Sequence, residues 1–376
     1  MIKILFFIEE LHAGGAEKVL CNLVNSMDQS QFEITVQTLW LSDASKYFHP
    51  GIRYQSCYSA KTKINRFIYR LEAALGLTYR LHIKDAYDVE CAYLECAPTK
   101  IIASSTNKRA KKIAWVHCDL QQKMKQMKKP IQFVEHSTHW YTQYDTIVCV
   151  SQNVKDSFDE LFDYVFDSHV LYNTVDDAEI LEKSRVNLPE LQNKRRFTVV
   201  TVGRLTEQKG YDRLLRVHKN LMDLGSKYDL WILGDGPDRA ALEQYVEAQG
   251  LSESVKFYGY QSNPYPFLQA ADLLVCSSRY EGFSTFVTEG LILGKPIVTT
   301  DCTGMRELLG NSRYGLITDN TEPALQAGLQ TMLQDPDLRK RYADMAKQRG
   351  ADFTARSLCE KTEQFFCSLV KDTKEA

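Results

Sequence analysis

The sequence predicts an α/β protein made of two doubly wound parallel sheets, and three observations carry that expectation. Short apolar runs alternate with helical patterns along most of the chain, the signature of parallel strands joined by crossover helices. The chain has 376 residues, too many for one ordinary core and suited to two domains of roughly 100–200 residues each. The alternation fails at one place, 170–196, where Tyr172, Asn173, Asp177 and the polar stretch Glu182–Arg196 interrupt it. A hinge there gives a first domain over 1–170 and a second over 171–354, followed by a last helix over about 355–376.

Taken in order, 2–8 reads as an apolar strand and 9–15 as a turn rich in small residues. Ala16–Met27 follows as a helix with Val19, Leu20, Leu23, Val24 and Met27 on one face. The runs Ile34–Thr38, Val89–Tyr93, Ile113–Val116 and Thr146–Val150 continue the first sheet. Phe197–Val202, Leu230–Leu233, Val255–Phe257, Leu273–Cys276 and Pro296–Thr299 supply the second. Between them a helix begins near Tyr211, with Leu214, Leu215, Val217 and Leu221 on its apolar side. Later helices end near Leu293, span Leu338–Ala346 and close the chain over Ala355–Val370.

Composition is that of an ordinary globular protein, 44% apolar and 25% charged. The apolar run Ile4–Ile8 is stopped by Glu9 and Glu10 without a small-residue cleavage site, so it does not read as a secretion signal. No run approaches the roughly 18 apolar residues of a membrane span. Ten cysteines without a C-x-x-C pair read as reduced thiols of a cytoplasmic protein. No His/Cys ligand cluster is present, and Asp335-Pro336-Asp337 reads as a helix cap rather than a metal triplet. The expectation is therefore no metal and no cofactor.

Chemistry concentrates in Glu281-Gly282-Phe283-Ser284-Thr285-Phe286-Val287-Thr288-Glu289. This stretch leads from the apolar run at 273–276 into a helical segment, and the mouth of such a turn is where open α/β sheets bind ligands and where a helix N-terminus favours anions. Carboxylates beside an anion site suit sugar hydroxyls, since each oxygen can take an O–H donor. Three further pieces stand out: Gly14-Gly15 after the first strand, Gly203-Arg204-Leu205-Thr206-Glu207-Gln208-Lys209-Gly210, and Gly234-Asp235-Gly236-Pro237. Arg204 and Lys209 follow a strand and can hold a diphosphate, one by its planar fork and the other as a point charge. Read on their own, the same residues would serve as a tight turn and a solvated loop.

In this order the pieces resemble retaining nucleotide-sugar glycosyltransferases of family 4, whose GT-B fold sets two Rossmann-like domains face to face across a central cleft. The resemblance is close over 170–345 and patchy before it. It implies that Arg204 and Lys209 bind the donor diphosphate and stabilise it as leaving group. Glu289 would accept from both ribose hydroxyls, Glu281 would face the transferred sugar, the amides of Phe283 through Thr285 would point at phosphate or sugar oxygens, and Gly282 would also belong to the donor site. Gly14 and Gly15 would face the diphosphate and acceptor from the first domain. His117, after the strand at 113–116, would contact the donor sugar near its reacting carbon. Tyr260 is a candidate for the wall of the base pocket. The last helix is expected to cross back to the first domain. Departures are Asn173-Thr174-Val175-Asp176 at the hinge, where many relatives have Asn-Gly, and the stretch 40–112, which matches nothing specific.

Charge is the remaining signal. Residues 61–129 hold fifteen Lys and Arg against six Asp and Glu, an excess of nine in a chain whose net charge is −2. At about 100° per residue, Arg66, Arg70, Arg80 and Lys84 share one side of a helix over 66–84, with Phe67, Leu71, Ala74, Leu75 and Thr78 on the adjoining face. A second cluster follows at Lys123, Lys125, Lys128 and Lys129. Such a basic amphipathic region is expected to meet an anionic membrane surface or a lipid diphosphate, and no aromatic-laced motif points to nucleic acid. The reading is a hexosyltransferase peripheral at the inner face of the cell membrane. It takes a sugar from a nucleotide-diphosphate donor, expected to be a UDP-sugar, and passes it to a glycan or polyprenyl-diphosphate-linked acceptor in surface polysaccharide synthesis. Two alternatives share the architecture: a nucleotide-sugar epimerase, needing no acceptor, and a non-catalytic nucleotide-sugar-binding protein.

Overall fold

The computed structural model describes residues 1–11, 14–43, 45–125, 130–191, 194 and 196–371. The chain divides into two compact units, Met1–Thr174 with Ala355–Ala376, and Val175–Thr354.

The first unit holds a seven-stranded parallel sheet. Its strands are β1 (Ile2–Ile8), β2 (Phe32–Trp40), β3 (Arg53–Tyr58), β4 (Val89–Ala92), β5 (Lys111–Val116), β6 (Thr146–Cys149) and β7 (Ser168–Val170). They lie in the order β3-β2-β1-β4-β5-β6-β7, with β1 pairing in parallel with both β2 and β4. Ile4 through Ile8 are fully buried, as a strand covered on both faces requires. The helix Gly15–Ser26 buries Val19, Leu20, Leu23 and Val24. The helix Ala355–Lys371 sets Phe366 against Phe6 and Phe32, with ring centroids 5.8 and 6.5 Å apart. Its Glu363 accepts a hydrogen bond from the Asp28 backbone N–H at 2.6 Å. Residues 372–376 lie outside the described residues.

The second unit holds a six-stranded parallel sheet of β8 (Phe197–Val202), β9 (Tyr228–Leu233), β10 (Val255–Gly259), β11 (Leu273–Cys276), β12 (Ile297–Thr300) and β13 (Leu316–Thr318). The order is β10-β9-β8-β11-β12-β13. Leu214, Leu215, Val217 and Leu221 of the helix Tyr211–Asp223 enter one core with Val199, Leu230, Leu273 and Val275. Both sheets have the doubly wound order that the alternating pattern predicted. Asp335 caps the helix Pro336–Gly350, its Oδ1 accepting from Leu338 N at 2.8 Å.

Three strands had no counterpart in the sequence reading: β3, β7 and β13. All three are sheet edges. An edge strand covers less apolar surface, so its sequence lacks the continuous apolar run of an interior parallel strand.

The expected helix over 66–84 is a correction. The chain forms two helices, Lys63–Ala74 and Thr78–His82, separated at Gly76, which has φ +67°. A residue without Cβ takes that left-handed conformation at little cost, and the helix ends there. Arg80 and Lys84 therefore do not continue the face that carries Arg66 and Arg70. Lys128 and Lys129 of the second basic cluster lie outside the described residues. All ten cysteines are free; Cys91, Cys149, Cys276 and Cys359 are buried, whereas Cys96 is exposed. Among the described residues, no helix is long and apolar enough to cross a membrane.

Candidate active site

The second sheet changes direction between β8 and β11, which are hydrogen-bonded neighbours whose onward connections leave toward opposite edges. Such a switch point opens a crevice at the carboxyl ends of the strands. The two loops that leave β8 and β11 there carry the residues singled out in the sequence, 203–210 and 277–284.

These loops are bound to each other. The Lys209 Nζ donates to Glu281 Oε1 at 2.7 Å, and Ser278 Oγ donates to the same oxygen at 2.5 Å. Ser277 Oγ donates to the Lys209 carbonyl at 2.9 Å, Arg279 N to the Gln208 carbonyl at 2.7 Å, and Gln208 Nε2 to the Tyr280 carbonyl at 3.0 Å. Arg279 also grips Asp212 with two parallel hydrogen bonds of 2.8 and 2.7 Å. Burial alone would raise the Asp212 pKa, but the guanidinium groups of Arg279 and Arg216 hold it well below the usual carboxylate range. Gly210, at φ +66°, sits where an added Cβ would meet the Ser277 carbonyl oxygen at 2.3 Å.

Electrostatics at the crevice are unequal. Burial would lower the Lys209 pKa, yet the adjacent Glu281 carboxylate outweighs it and raises the ammonium above its ordinary value. Arg204 is exposed on the same loop, and among the described residues its guanidinium has no ion-pair partner. One cation is thus held and the other stands open. Ser284 caps the helix Thr285–Ile292, its Oγ accepting from Val287 N at 3.4 Å, so the first turn's amides stand at the loop's end. Gly282, Phe283 and Ser284 are buried. Glu289, also buried, accepts from Tyr265 Oη at 3.3 Å.

Arg204, Lys209, Glu281, Gly282, Phe283, Ser284, Thr285 and Glu289 are therefore brought to one end of one sheet. Among the described residues Tyr260 makes no hydrogen bond, ion pair or ring contact with them: it lies just beyond β10, two strands from β8, and is exposed. In the first unit, Gly14 caps the helix after β1 in extended backbone, φ −93°, and Gly15 is its first residue. His117 follows β5 and stacks on Trp115 at 6.2 Å. Its backbone N–H donates to Glu95 Oε1 at 2.5 Å, and Nε2 is buried without a hydrogen-bond partner among the described residues. Burial pushes the imidazole down to about 4 against the opposing pull of Glu95, so the ring is neutral at pH 7. Sets of three or more His, Cys, Asp or Glu able to hold a metal are absent among the described residues.

Residues 185–349 match the family of glycosyl transferases group 1, and the match spans β8 through β13. The chain is a glycosyltransferase. Over 361 residues it is 26% identical to the N-acetylgalactosamine-N,N'-diacetylbacillosaminyl-diphospho-undecaprenol 4-alpha-N-acetylgalactosaminyltransferase of Campylobacter jejuni, covering 94% of this chain and 96% of that relative. A lipopolysaccharide core biosynthesis glycosyltransferase, LpsD of Rhizobium meliloti, is 31% identical over 54% of this chain and 58% of its own length. Among solved structures, Anabaena Alr3699/HepE in complex with UDP and glucose superposes with TM-score 0.77 at 18% identity, over 98% of this chain and all of that one. Sucrose-phosphate synthase of Thermosynechococcus elongatus gives 0.78 at 15% identity. The glycosyltransferase has the two-domain GT-B fold of these structures.

Two groups that shape the glycosyltransferase's loops escaped the sequence reading. Arg213, on the helix Tyr211–Asp223, reaches the carbonyls of Ser277 and Ser278. Its position beside Leu214 and Leu215 gave no signal of a buried charge. Glu95, after β4, accepts from both His117 N and Cys118 N, and a lone glutamate there is indistinguishable from a surface acid. The turn Gly234–Pro237 proves to back the Arg204 loop: Leu205 N donates to the Asp235 carbonyl at 3.0 Å. A separate pocket of about 300 Å³ in the first unit is lined by Ala73, Gly76, Ile101 and Trp140, among others, and by none of the candidate site residues.

Proposed function

We propose that this glycosyltransferase moves a sugar from a UDP-sugar to a glycan or polyprenyl-diphosphate-linked acceptor in surface polysaccharide synthesis, with retention of anomeric configuration, as in family 4. The observation that carries the proposal is the pairing of Lys209 with Glu281 at a sheet switch point, beside an exposed Arg204 and a capped helix N-terminus. Donor diphosphate would bind across Arg204, Lys209 and the amides of Ser284 and Thr285, which together offset the charge that develops as UDP departs. That set of cations supports a transfer that needs no divalent ion.

Glu289 is suited to the ribose hydroxyls, being a buried carboxylate already ordered by Tyr265. Glu281 would face the sugar while fixing Lys209 toward the phosphates. Neutral His117, whose buried Nε2 has no hydrogen-bond partner among the described residues, would contact the sugar, and Gly14 and Gly15 would let the phosphates come close. Tyr260 would lie against the base. The UDP-bound Anabaena neighbour and the undecaprenol-linked substrate in the name of the Campylobacter relative support the donor and acceptor classes. With a nucleotide-sugar donor and a polyprenyl-linked acceptor, the reaction would lie at the cytoplasmic face of the membrane.

The test is UDP release across a panel of nucleotide sugars, with and without a short lipid-linked glycan, in buffer containing a chelator. Acceptor-dependent release, together with an α-linked product from an α-linked donor by NMR, is expected. Isomerised donor without acceptor would instead make the protein an epimerase, and tight donor binding without turnover would make it a binding protein.

A further inference from the structure

The helix Lys63–Ala74 is amphipathic, but its apolar side faces outward. No residue of it is buried. The face that touches the rest of the unit is aromatic and polar: Tyr69 packs edge-on against Trp40 at 5.8 Å, and Glu72 accepts from Tyr58 Oη at 2.5 Å and meets His82 Nε2 at 2.9 Å. The opposite face carries Ile64, Phe67, Ile68, Leu71 and, at the cap, Leu75. Of these, Ile64 is 72% exposed, Phe67 68% and Leu75 63%. At about 100° per residue, spacings of three and four place all five in one stripe about 100° wide. Leu77 and Leu81 extend the exposed apolar surface beyond the break.

Charge around the stripe has one sign. Lys63, Arg66 and Arg70 are exposed on one flank, and among the described residues none has an ion-pair partner. The helix's one acid, Glu72, points inward to Tyr58 and His82. Globular proteins seldom leave so continuous an apolar stripe in water without an occupant. A second copy of the chain would bring the same unpaired cations and no carboxylate from this helix to answer them. An anionic lipid surface offers apolar chains to the stripe and phosphates to the flank at once.

We propose that the helix Lys63–Ala74 is an in-plane anchor. Its stripe enters the acyl boundary of an anionic bilayer, and Lys63, Arg66 and Arg70 rest among the headgroups. The anchor deepens the lipid-linked-acceptor reading and rests on it for its purpose, since it would hold the first unit where such an acceptor lies; lipid binding itself is measured without acceptor.

The experiment is sedimentation of the full chain with phosphatidylcholine vesicles and with vesicles also containing phosphatidylglycerol. Wild type is expected to partition onto the anionic vesicles. Phe67→Ser with Leu71→Ser should weaken that partitioning at least about 100-fold, and Arg66→Gln with Arg70→Gln roughly 30-fold on anionic vesicles only. All these side chains are exposed, and far-ultraviolet circular dichroism verifies that the variants are folded. Wild type remaining in the supernatant with both vesicle types overturns the proposal, as does undiminished binding by the Phe67/Leu71 variant. A lipid-free dimer that this variant dissolves also overturns it and assigns the stripe to a second copy. Vesicle binding without any sugar transfer would leave the anchor standing and remove the enzymatic reading instead.

Discussion

Arg213 sets its guanidinium on the carbonyl oxygen of Ser277, with Nε at 2.8 Å and Nη2 at 2.6 Å. Nη2 also reaches the Ser278 carbonyl at 2.6 Å, and Nη1 donates to Asn320 Oδ1 at 2.7 Å. Arg213 is only 5% exposed. The carbonyls it serves belong to the point where β11 ends and the chain turns toward Glu281. Buried carbonyls without donors cost about 1–3 kcal/mol each, so one side chain on the helix after β8 fixes the exit of β11.

Arg213→Met should therefore lower stability by about 3 kcal/mol or more in urea unfolding. Arg213→Lys should recover only part, because an ammonium cannot fork across two carbonyls. Since the loop it holds presents Glu281, the surviving folded fraction of either variant should show a raised KM for donor. Wild-type stability and KM in Arg213→Met would remove Arg213 from this role.

Gly210 and Gly76 share a backbone conformation, φ +66° and +67°, but not surroundings. A Cβ on Gly210 would lie 2.3 Å from the Ser277 carbonyl oxygen, whereas one on Gly76 meets nothing within 4 Å. Left-handed backbone costs an L-residue about 1–2 kcal/mol, and both alanine variants should show that loss. Gly210→Ala should lose more and lose activity as well, since the loops of β8 and β11 must part to admit the methyl. Equal effects of the two substitutions in urea melts and UDP-release assays would contradict the contact.

The Lys209–Glu281 pair separates stability from catalysis. Lys209→Met leaves a buried carboxylate without its cation, a change worth about 3–5 kcal/mol in comparable settings. Adding Glu281→Leu should restore most of that stability while leaving sugar transfer at least about 100-fold down. The ammonium's pKa is raised in the fold, so its contribution is complete below the unfolded value near 10.5 and fades only as pH climbs through the higher folded one. Donor binding should accordingly show no loss from this pair between pH 7 and pH 9. A double variant that transfers sugar at the wild-type rate would remove both residues from the chemistry.

The interior of both sheets was legible because each central strand is covered on both faces and reads as an unbroken apolar run, Ile4–Ile8 and Leu273–Cys276 being the clearest. The edges β3, β7 and β13 were not, since half-exposed strands keep polar residues such as Arg53, Gln55 and His169. The Glu281 loop was legible from its position between an apolar run and a helix. Its support by Arg213 was invisible, because sequence spacing on one helix says nothing about a carbonyl 64 residues away. The helix break at Gly76 was within reach, since a glycine inside a helical run weakens it by about 1 kcal/mol, whereas the charge pattern reads as one face straight across it. The outward turn of Phe67 and Leu71 is a tertiary fact, since periodicity finds an apolar face without saying what covers it.

Acid should weaken this protein through two buried histidines. His117 and His218 are both pushed down by burial to about 4; His218 lies fully inside the second unit, where Nε2 meets Ser254 Oγ at 2.9 Å. Above pH 6.5 each ring is neutral whether the chain is folded or not, and neither affects the equilibrium. Below pH 6.5 the unfolded chain takes up protons that the folded one refuses until near pH 4, so stability falls across that window. Each histidine should contribute about 1–2 kcal/mol of loss between pH 7 and pH 5, and at most about 3 kcal/mol by pH 4. Urea unfolding followed at pH 7, 6 and 5 measures the slope. His218→Gln, which can still bond Ser254 and carries no titrating ring, should flatten it by roughly half, and His117→Gln should remove most of the remainder. A slope that neither substitution changes would mean that these rings open to water and take their protons in the folded state.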